Sequence, residues 1–184
     1  MGQAGAYTPE KLVLAVLTSQ PQELPGVVQA AEAAWGPVDF VSAALPFRWS
    51  HYYDREMGTP LERSFLTLRS LVDPSGLAAC KGETNAIERR WASGGRRTVN
   101  LDPGLIALSR FVLATTKDNA HRIALGSGIY AEVTLLYTHG TFHPLDWTYP
   151  DYRSAEYLSI LNGIRARYKV QLREAEAARE ASEG

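Results

Sequence analysis

The stretch Leu12-Val13-Leu14-Ala15-Val16-Leu17, between Lys11 and Thr18-Ser19-Gln20-Pro21, decides how the rest of the chain is read. It is apolar at every position, not at alternate ones, and too short for a helix, which suits a strand covered on both faces. Working outward, Pro25 to Trp35 puts Val27, Val28, Ala31, Ala34 and Trp35 on a helical stripe, and Gly36-Pro37 supplies the stop. Val38 to Phe47 is β-branched and aromatic and reads as a second strand. Leu61 to Val72 reads as a third, ended by Asp73-Pro74. Ser75 to Trp91 is rich in helix formers and closes at Gly94-Gly95; Arg97 to Leu101 is a fourth strand.

The order βαββαβ is the ferredoxin-like pattern of the α+β class, two helices on one face of an antiparallel sheet. After Pro103-Gly104, Leu105 to Ala114 places Leu105, Leu108 and Val112 at helical spacing, so a helix lying on the sheet is expected. Arg122 to Leu125 and Ile129 to Tyr137 flank Gly126-Ser127-Gly128, a β-hairpin that extends the sheet, and Thr138-His139-Gly140-Thr141 is a second turn. An aromatic, Pro-rich loop from Pro144 to Tyr152 leads to a C-terminal helix from Ser154 to about Ala178, with the stripe Tyr157, Ile160, Leu161, Ile164, Tyr168 and Leu172. Residues 174–184 hold no large apolar side chain and are expected to fray as an acidic tail. The chain thus reads as a single domain over 1–184 with its ordered core at about 8–173.

Composition sets the outer bounds. Of 184 residues 45% are hydrophobic and 21% charged, enough for one core, and 19 Lys+Arg against 20 Asp+Glu leave a formal net charge of −1. A uniformly basic nucleic-acid coat is excluded; a nucleic-acid end remains open as a ligand, unsupported by any motif. Cys80 is alone, which excludes a disulfide framework and a four-thiolate zinc site. With no leader pattern and no apolar run of membrane length, the chain reads as cytoplasmic, with no membrane partner.

The near-zero total is a cancellation. Residues 1–80 carry −3, residues 81–125 carry +4 and residues 126–184 carry −2. The basic island holds Lys81, Arg89, Arg90, Arg96, Arg97, Arg110, Lys117 and Arg122, with His121 beside them. If they converge they hold a phosphate or carboxylate; otherwise they are a solvated face.

Known catalytic motifs are mostly missing. There is no phosphate loop and no Gly-x-Ser-x-Gly elbow. Gly126-Ser127-Gly128-Ile129-Tyr130-Ala131 has dinucleotide spacing but runs into a strand where a helix is required. His139 and His143 are four apart across a Gly-containing turn, a poor zinc pair. Two constellations carry more. Asn100-Leu101-Asp102-Pro103-Gly104 ends a strand with two polar side chains; it is either a site or an Asx-turn. Trp147-Thr148-Tyr149-Pro150-Asp151-Tyr152 together with Tyr52-Tyr53 offers rings that stack a base or sugar, or seal the core edge. Glu132, in an otherwise apolar strand, needs a partner such as Arg122 or Lys117.

At these residues the chain resembles the uncharacterised prokaryotic domain of unknown function 4416 family. The likeness runs from about Lys11 to Gln171. It lies in Pro46-Phe47-x-Trp49-x-x-Tyr52-Tyr53-x-x-Glu56-Met57-Gly58, Lys81-x-x-Thr84-Asn85, Val99 to Gly104, Thr116-Lys117-x-x-x-His121-Arg122-Ile123, Gly128 to Thr134 and Trp147 to Tyr152. The resemblance implies no activity. It marks these segments as family features and so as the place for a site.

The leading expectation is a protein that binds an anionic small molecule, a nucleotide or other phosphate ester, in a basic cleft. Lys81, Lys117, His121 and Arg122 would supply positive charge, Asn85, Asn100 and Thr116 hydrogen bonds, and Tyr52, Tyr53 or Trp147 a stacking surface. Were it an enzyme, phosphoester hydrolysis or phosphoryl transfer would be the reaction. His121 would then be the acid or base, with Asp102 or Glu132 orienting it or holding a divalent metal. No cofactor is legible. The alternative is a non-catalytic scaffold whose shared segments are structural and whose C-terminal helix packs in a homodimer.

Overall fold

Strand β1 (Lys11–Thr18) runs through the middle of the molecule with all eight residues buried. The computed structural model describes residues 2–183, with side chains to residue 181. Odd and even positions of β1 serve two different cores, as the period of two requires. Leu12, Leu14 and Val16 face a layer made by α1 (Leu24–Trp35) and α3 (Leu77–Glu88), through Val27, Ala31, Leu77, Cys80 and Ile87. Val13 and Ala15 face the other layer, where the long helix α4 (Ala155–Glu183) lays Tyr157, Leu161, Ile164, Tyr168 and Leu172 on the sheet. The continuous apolar run is thus the mark of a two-faced strand.

On one side β1 pairs with β4 (Leu61–Leu68), which pairs onward with β2 (Val38–Val41) and β3 (Leu45–Phe47), the two pieces of the expected second strand. Between β3 and β4 sits a single helical turn, α2 (Asp54–Met57). On the other side β1 pairs with β7 (Val99–Ile106). Next come β8 (Arg110–Thr115), then β10 (Ile129–Thr138), which also pairs with β9 (Ile123–Gly126) and β11 (Thr141–Pro144). The result is a nine-stranded antiparallel sheet; a two-residue ladder, β5 (Ala92–Ser93) with β6 (Arg96–Arg97), stands apart. The hairpins about Gly126-Ser127-Gly128 and His139-Gly140 extend the sheet where expected.

The expected helix over Leu105–Ala114 does not form. That stretch is the end of β7, a turn closed by the Ala107 N–H donating to the Arg110 carbonyl at 3.0 Å, and β8. Pro103-Gly104 is therefore a feature of a strand. Pro103 lies outside the stretch paired with β8, so its ring costs no ladder bond on that side. At Gly104 a Cβ would stand 2.7 Å from both Phe111 Cε2 and the Val112 carbonyl, so only glycine lets the two strands close. Helix α4 continues to Glu183 past the expected end near Ala178, through residues with high helix propensity.

One irregularity positions the site. Strand β7 follows β1 along its whole length, but its ladder with β8 covers only Gly104–Ile106. Beyond the Gly104–Leu113 pair the two strands part. Among the described residues no helix is long and apolar enough to cross a membrane.

Candidate functional site

A cavity of about 440 Å³ opens in the split between β7 and β8. Continuing the broken register would set Asp102 against Thr115 and Asn100 against Lys117, and all four line the cavity instead. Helix α3 fills the missing ladder space with a side chain. Lys81 Nζ donates to the Leu101 carbonyl at 2.9 Å and to Asp102 Oδ1 at 3.4 Å. Asn100 Nδ2 donates to Asp102 Oδ2 at 2.8 Å, and Arg63 NH1 stands 3.5 Å from that oxygen. Burial pushes the Asp102 carboxyl up, but the charges of Lys81 and Arg63 and the Asn100 amide outweigh it and hold it below the usual carboxylate value.

Arg63 comes from β4 and is 3% exposed. Its NH1 donates to the Ala15 carbonyl at 3.2 Å, its NH2 lies 3.7 Å from Asp151 Oδ2, and its guanidinium sits over the Phe47 ring at 5.6 Å. Burial raises the Asp151 carboxyl even against the pull of Arg63. At the α3 end, Glu88 accepts from the Leu101 N–H at 2.8 Å and pairs with Arg97, whose Nε lies 2.9 Å from Glu56. Burial likewise raises Glu88, in spite of Lys81.

The opposite wall is built on Glu132 of β10, 2% exposed. Its Oε2 accepts from His121 Nε2–H and from Arg122 Nε–H, each at 2.9 Å. Among the described residues its buried Oε1 has no hydrogen-bond partner. Arg122 also donates from NH1 to the Lys117 carbonyl at 2.9 Å and from NH2 to the Tyr149 hydroxyl at 2.8 Å, which fixes the loop before β9. The Lys117 ammonium lies over the Tyr52 ring, 4.1 Å from its centroid, and Tyr52 packs edge-on against Tyr53 at 5.0 Å.

Of the residues singled out from sequence, Lys81, Asn85, Asn100, Asp102, Thr116, Lys117, Arg122, Glu132, Tyr52 and Tyr53 lie on the cavity wall. His121 and Trp147 do not. The His121 ring stacks on the Trp147 indole, 5.1 Å between centroids and 12° between planes, while Trp147 Nε1 donates to the Val133 carbonyl at 2.8 Å. Together they brace Glu132 from outside the cavity, so Trp147 offers no stacking face to its contents. The basic island also divides. Lys81, Arg97, Lys117 and Arg122 line the cavity; Arg110 pairs with Glu10 at 2.6 Å, and Arg89, Arg90 and Arg96 are exposed elsewhere.

Sequence reasoning passed over Arg63, Asp151 and Trp49 as site residues, all on the wall. A charge at an inward position between Leu61 and Phe65 was the available signal for Arg63. Among the described residues no group of three or more His, Cys, Asp and Glu is placed to hold a metal ion. His139, on the turn between β10 and β11, and His143, within β11, are both exposed.

The chain matches the domain of unknown function DUF4416 over residues 8–168. It belongs to that family. No match was found among curated proteins or among solved structures. The DUF4416 match spans every segment that reaches the cavity, from Phe47 to Tyr152.

Proposed function

We propose that this DUF4416 protein is a cytoplasmic protein that binds an anionic small molecule, a nucleotide or other phosphate ester, in the cavity between β7 and β8. The observation that carries the reading is Lys117. Arg63, Lys81, Arg97 and Arg122 each meet a carboxylate, whereas among the described residues the ammonium of Lys117 meets only the face of Tyr52. A cation left without a counter-charge beside exposed rings, Tyr52 at 63% and Trp49 at 46% exposure, is suited to an anion carried on a planar or apolar body. The wall as a whole holds five cations, Arg63, Lys81, Arg97, Lys117 and Arg122, against three carboxylates, Asp102, Glu132 and Asp151.

If the site turns over its ligand, the group placed for proton transfer is Asp102, kept ionised by Lys81 and Arg63, and not His121, which stands behind Glu132. Strands β1, β2, β4 and β7 are read as a ferredoxin-like unit. Their neighbour order β7-β1-β4-β2 and the packing of α1 and α3 on one face support this, with β8 to β11 as an extension.

The test is calorimetric titration with adenosine 5′-monophosphate, ribose 5-phosphate and inorganic phosphate, alongside thermal melting. A ligand held only by the folded state raises the melting point, by about 2.7 kcal/mol of stability at a hundred times its Kd. Lys117→Ala is expected to weaken binding about tenfold, equivalent to about 1.4 kcal/mol, with the unliganded melting point unchanged. If no phosphate-bearing probe binds the wild-type protein, the scaffold reading takes its place.

A further inference from the structure

We infer that the ligand of this cavity carries, besides its anionic group, a hydroxyl or amino hydrogen-bond donor, and that Glu132 Oε1 is the acceptor that selects for it. The inference rests on the anion-site reading and adds a second requirement to it. Both oxygens of Glu132 are buried, but they are used differently. Oε2 takes two donors, His121 Nε2–H and Arg122 Nε–H. Oε1 takes none, on a side chain 2% exposed that forms part of the cavity wall. A buried carboxylate oxygen with no donor is costly, and it persists where something that enters the site supplies the missing bond.

The bracing of Glu132 gives the arrangement its direction. His121 is held flat on Trp147, and Arg122 is held by Tyr149 and the Lys117 carbonyl, so the two donors to Oε2 are themselves fixed. The carboxylate cannot turn to share its load without breaking one of them. Oε1 is therefore a fixed acceptor on a residue of the cavity wall, and His121 and Trp147 are positioning residues that act through it.

A second wall residue fits the same kind of ligand. Among the described residues the Tyr152 hydroxyl has no hydrogen-bond partner. A hydroxyl and a carboxylate acceptor on the wall of one cavity match a polyhydroxylated body better than a bare anion or a hydrocarbon chain. The chemical class is a phosphate ester whose organic part bears hydroxyl or amino groups, such as a sugar phosphate or the ribose end of a nucleotide.

Glu132→Gln inverts the polarity of the acceptor with almost no change in volume. Because two N–H groups face the Oε2 position, the amide oxygen of the variant must sit there, and its NH2 then occupies the Oε1 position and donates into the cavity. The experiment compares matched probes by calorimetric titration: glycerol 3-phosphate against propyl phosphate, ribose 5-phosphate against pentyl phosphate, and free ribose. For the wild-type protein the hydroxylated ester of each pair is expected to bind at least tenfold tighter, and Glu132→Gln to bring that ratio to near one.

A wild-type ratio near one overturns the inference without need of the variant, so a poorly folding Glu132→Gln does not blunt the test. A ratio that survives in a folded Glu132→Gln overturns it too. In both cases the anion-site reading stands if Lys117→Ala still weakens both members of a pair. Binding of free ribose as tightly as its phosphate, lost in Glu132→Gln, upholds the acceptor role and removes the anion site. Failure of every probe removes both.

Discussion

Lys11 and Lys81 are both buried lysines that meet an aspartate, and the fold uses them differently. Lys11 is fully buried, and its ammonium has three acceptors for three protons: Asp39 Oδ2 at 2.6 Å, Gln171 Oε1 at 2.8 Å and the Leu68 carbonyl. Asp39 is in turn saturated by Thr67 at 2.6 Å and by Gln171 Nε2 at 2.7 Å. Nothing in that cluster is left unmatched, and it ties β1, β2, β4 and α4 together. Around Lys81 the pairing is looser, with Asp102 at 3.4 Å and Glu88 at 3.9 Å, and among the described residues the surrounding wall carries Glu132 Oε1 and the Tyr152 hydroxyl without hydrogen-bond partners. The contrast separates a closed ion cluster, whose work is to hold elements together, from an open one that leaves polar atoms on its wall unmatched.

The largest effect should come from breaking the closed cluster. Asp39→Ala leaves the Lys11 ammonium buried with no carboxylate in reach, and removing one partner of such a pair costs roughly 3–5 kcal/mol. Urea unfolding is expected to show that loss, while phosphate-ester binding by the folded fraction stays at its wild-type value. A loss under about 1 kcal/mol would mean the cluster is not the fastening described. Next in size is Gly104→Ala, at the point where β7 and β8 separate. The added Cβ meets a backbone carbonyl as well as a ring, and overpacking of that kind costs about 1–3 kcal/mol. Here, unlike at Asp39, stability and binding should fall together, because the wedge acts on the strand pair that frames the cavity. Unchanged binding in a destabilised Gly104→Ala protein would detach the cavity from the split.

How much of this could be read from the chain differs between the same two regions. The two-faced strand β1 was legible because six apolar residues in a row admit few alternatives. The β7–β8 hairpin was not. Leu105, Leu108 and Val112 fit helical spacing, and Pro103-Gly104 resembles a helix opening, while the real reason for Gly104 is the close approach of Phe111, a tertiary fact. Within the site, Asn100-Leu101-Asp102 and Glu132 stood out as polar residues among apolar neighbours, where a buried charge must find a partner. Arg63 did not stand out, since Glu62-Arg63-Ser64 looks like a solvated patch until Asp102 and Asp151 arrive from distant parts of the chain. Spacing also could not tell His121 facing a ligand from His121 behind Glu132. That distinction depends on Trp147, which reaches it from the loop after β11.

The smallest expected effect sharpens the comparison most, because it concerns the same residue type in the two settings. Asp39 and Asp102 both have carboxyls held below their ordinary value against the upward push of burial, Asp39 mainly by Lys11 and Thr67, Asp102 by Lys81 and Arg63. A depressed folded value means that each contributes stability above the unfolded value of about 3.9 and loses it as the pH falls through the folded one. Wild-type stability should therefore decline below about pH 4. Asp39→Asn and Asp102→Asn should each flatten that decline, and differ at neutral pH. Lys11 has no second carboxylate, whereas Arg63 keeps Asp151 and Lys81 keeps Glu88 when Asp102 is neutral. Asp102→Asn should thus cost only about 1.5–2 kcal/mol, the low end of the range for one lost charged hydrogen bond, and clearly less than Asp39→Asn. Equal losses at pH 7 in urea melts would show that the open cluster is as tightly closed as the other, and the case for a guest in the cavity would weaken with it.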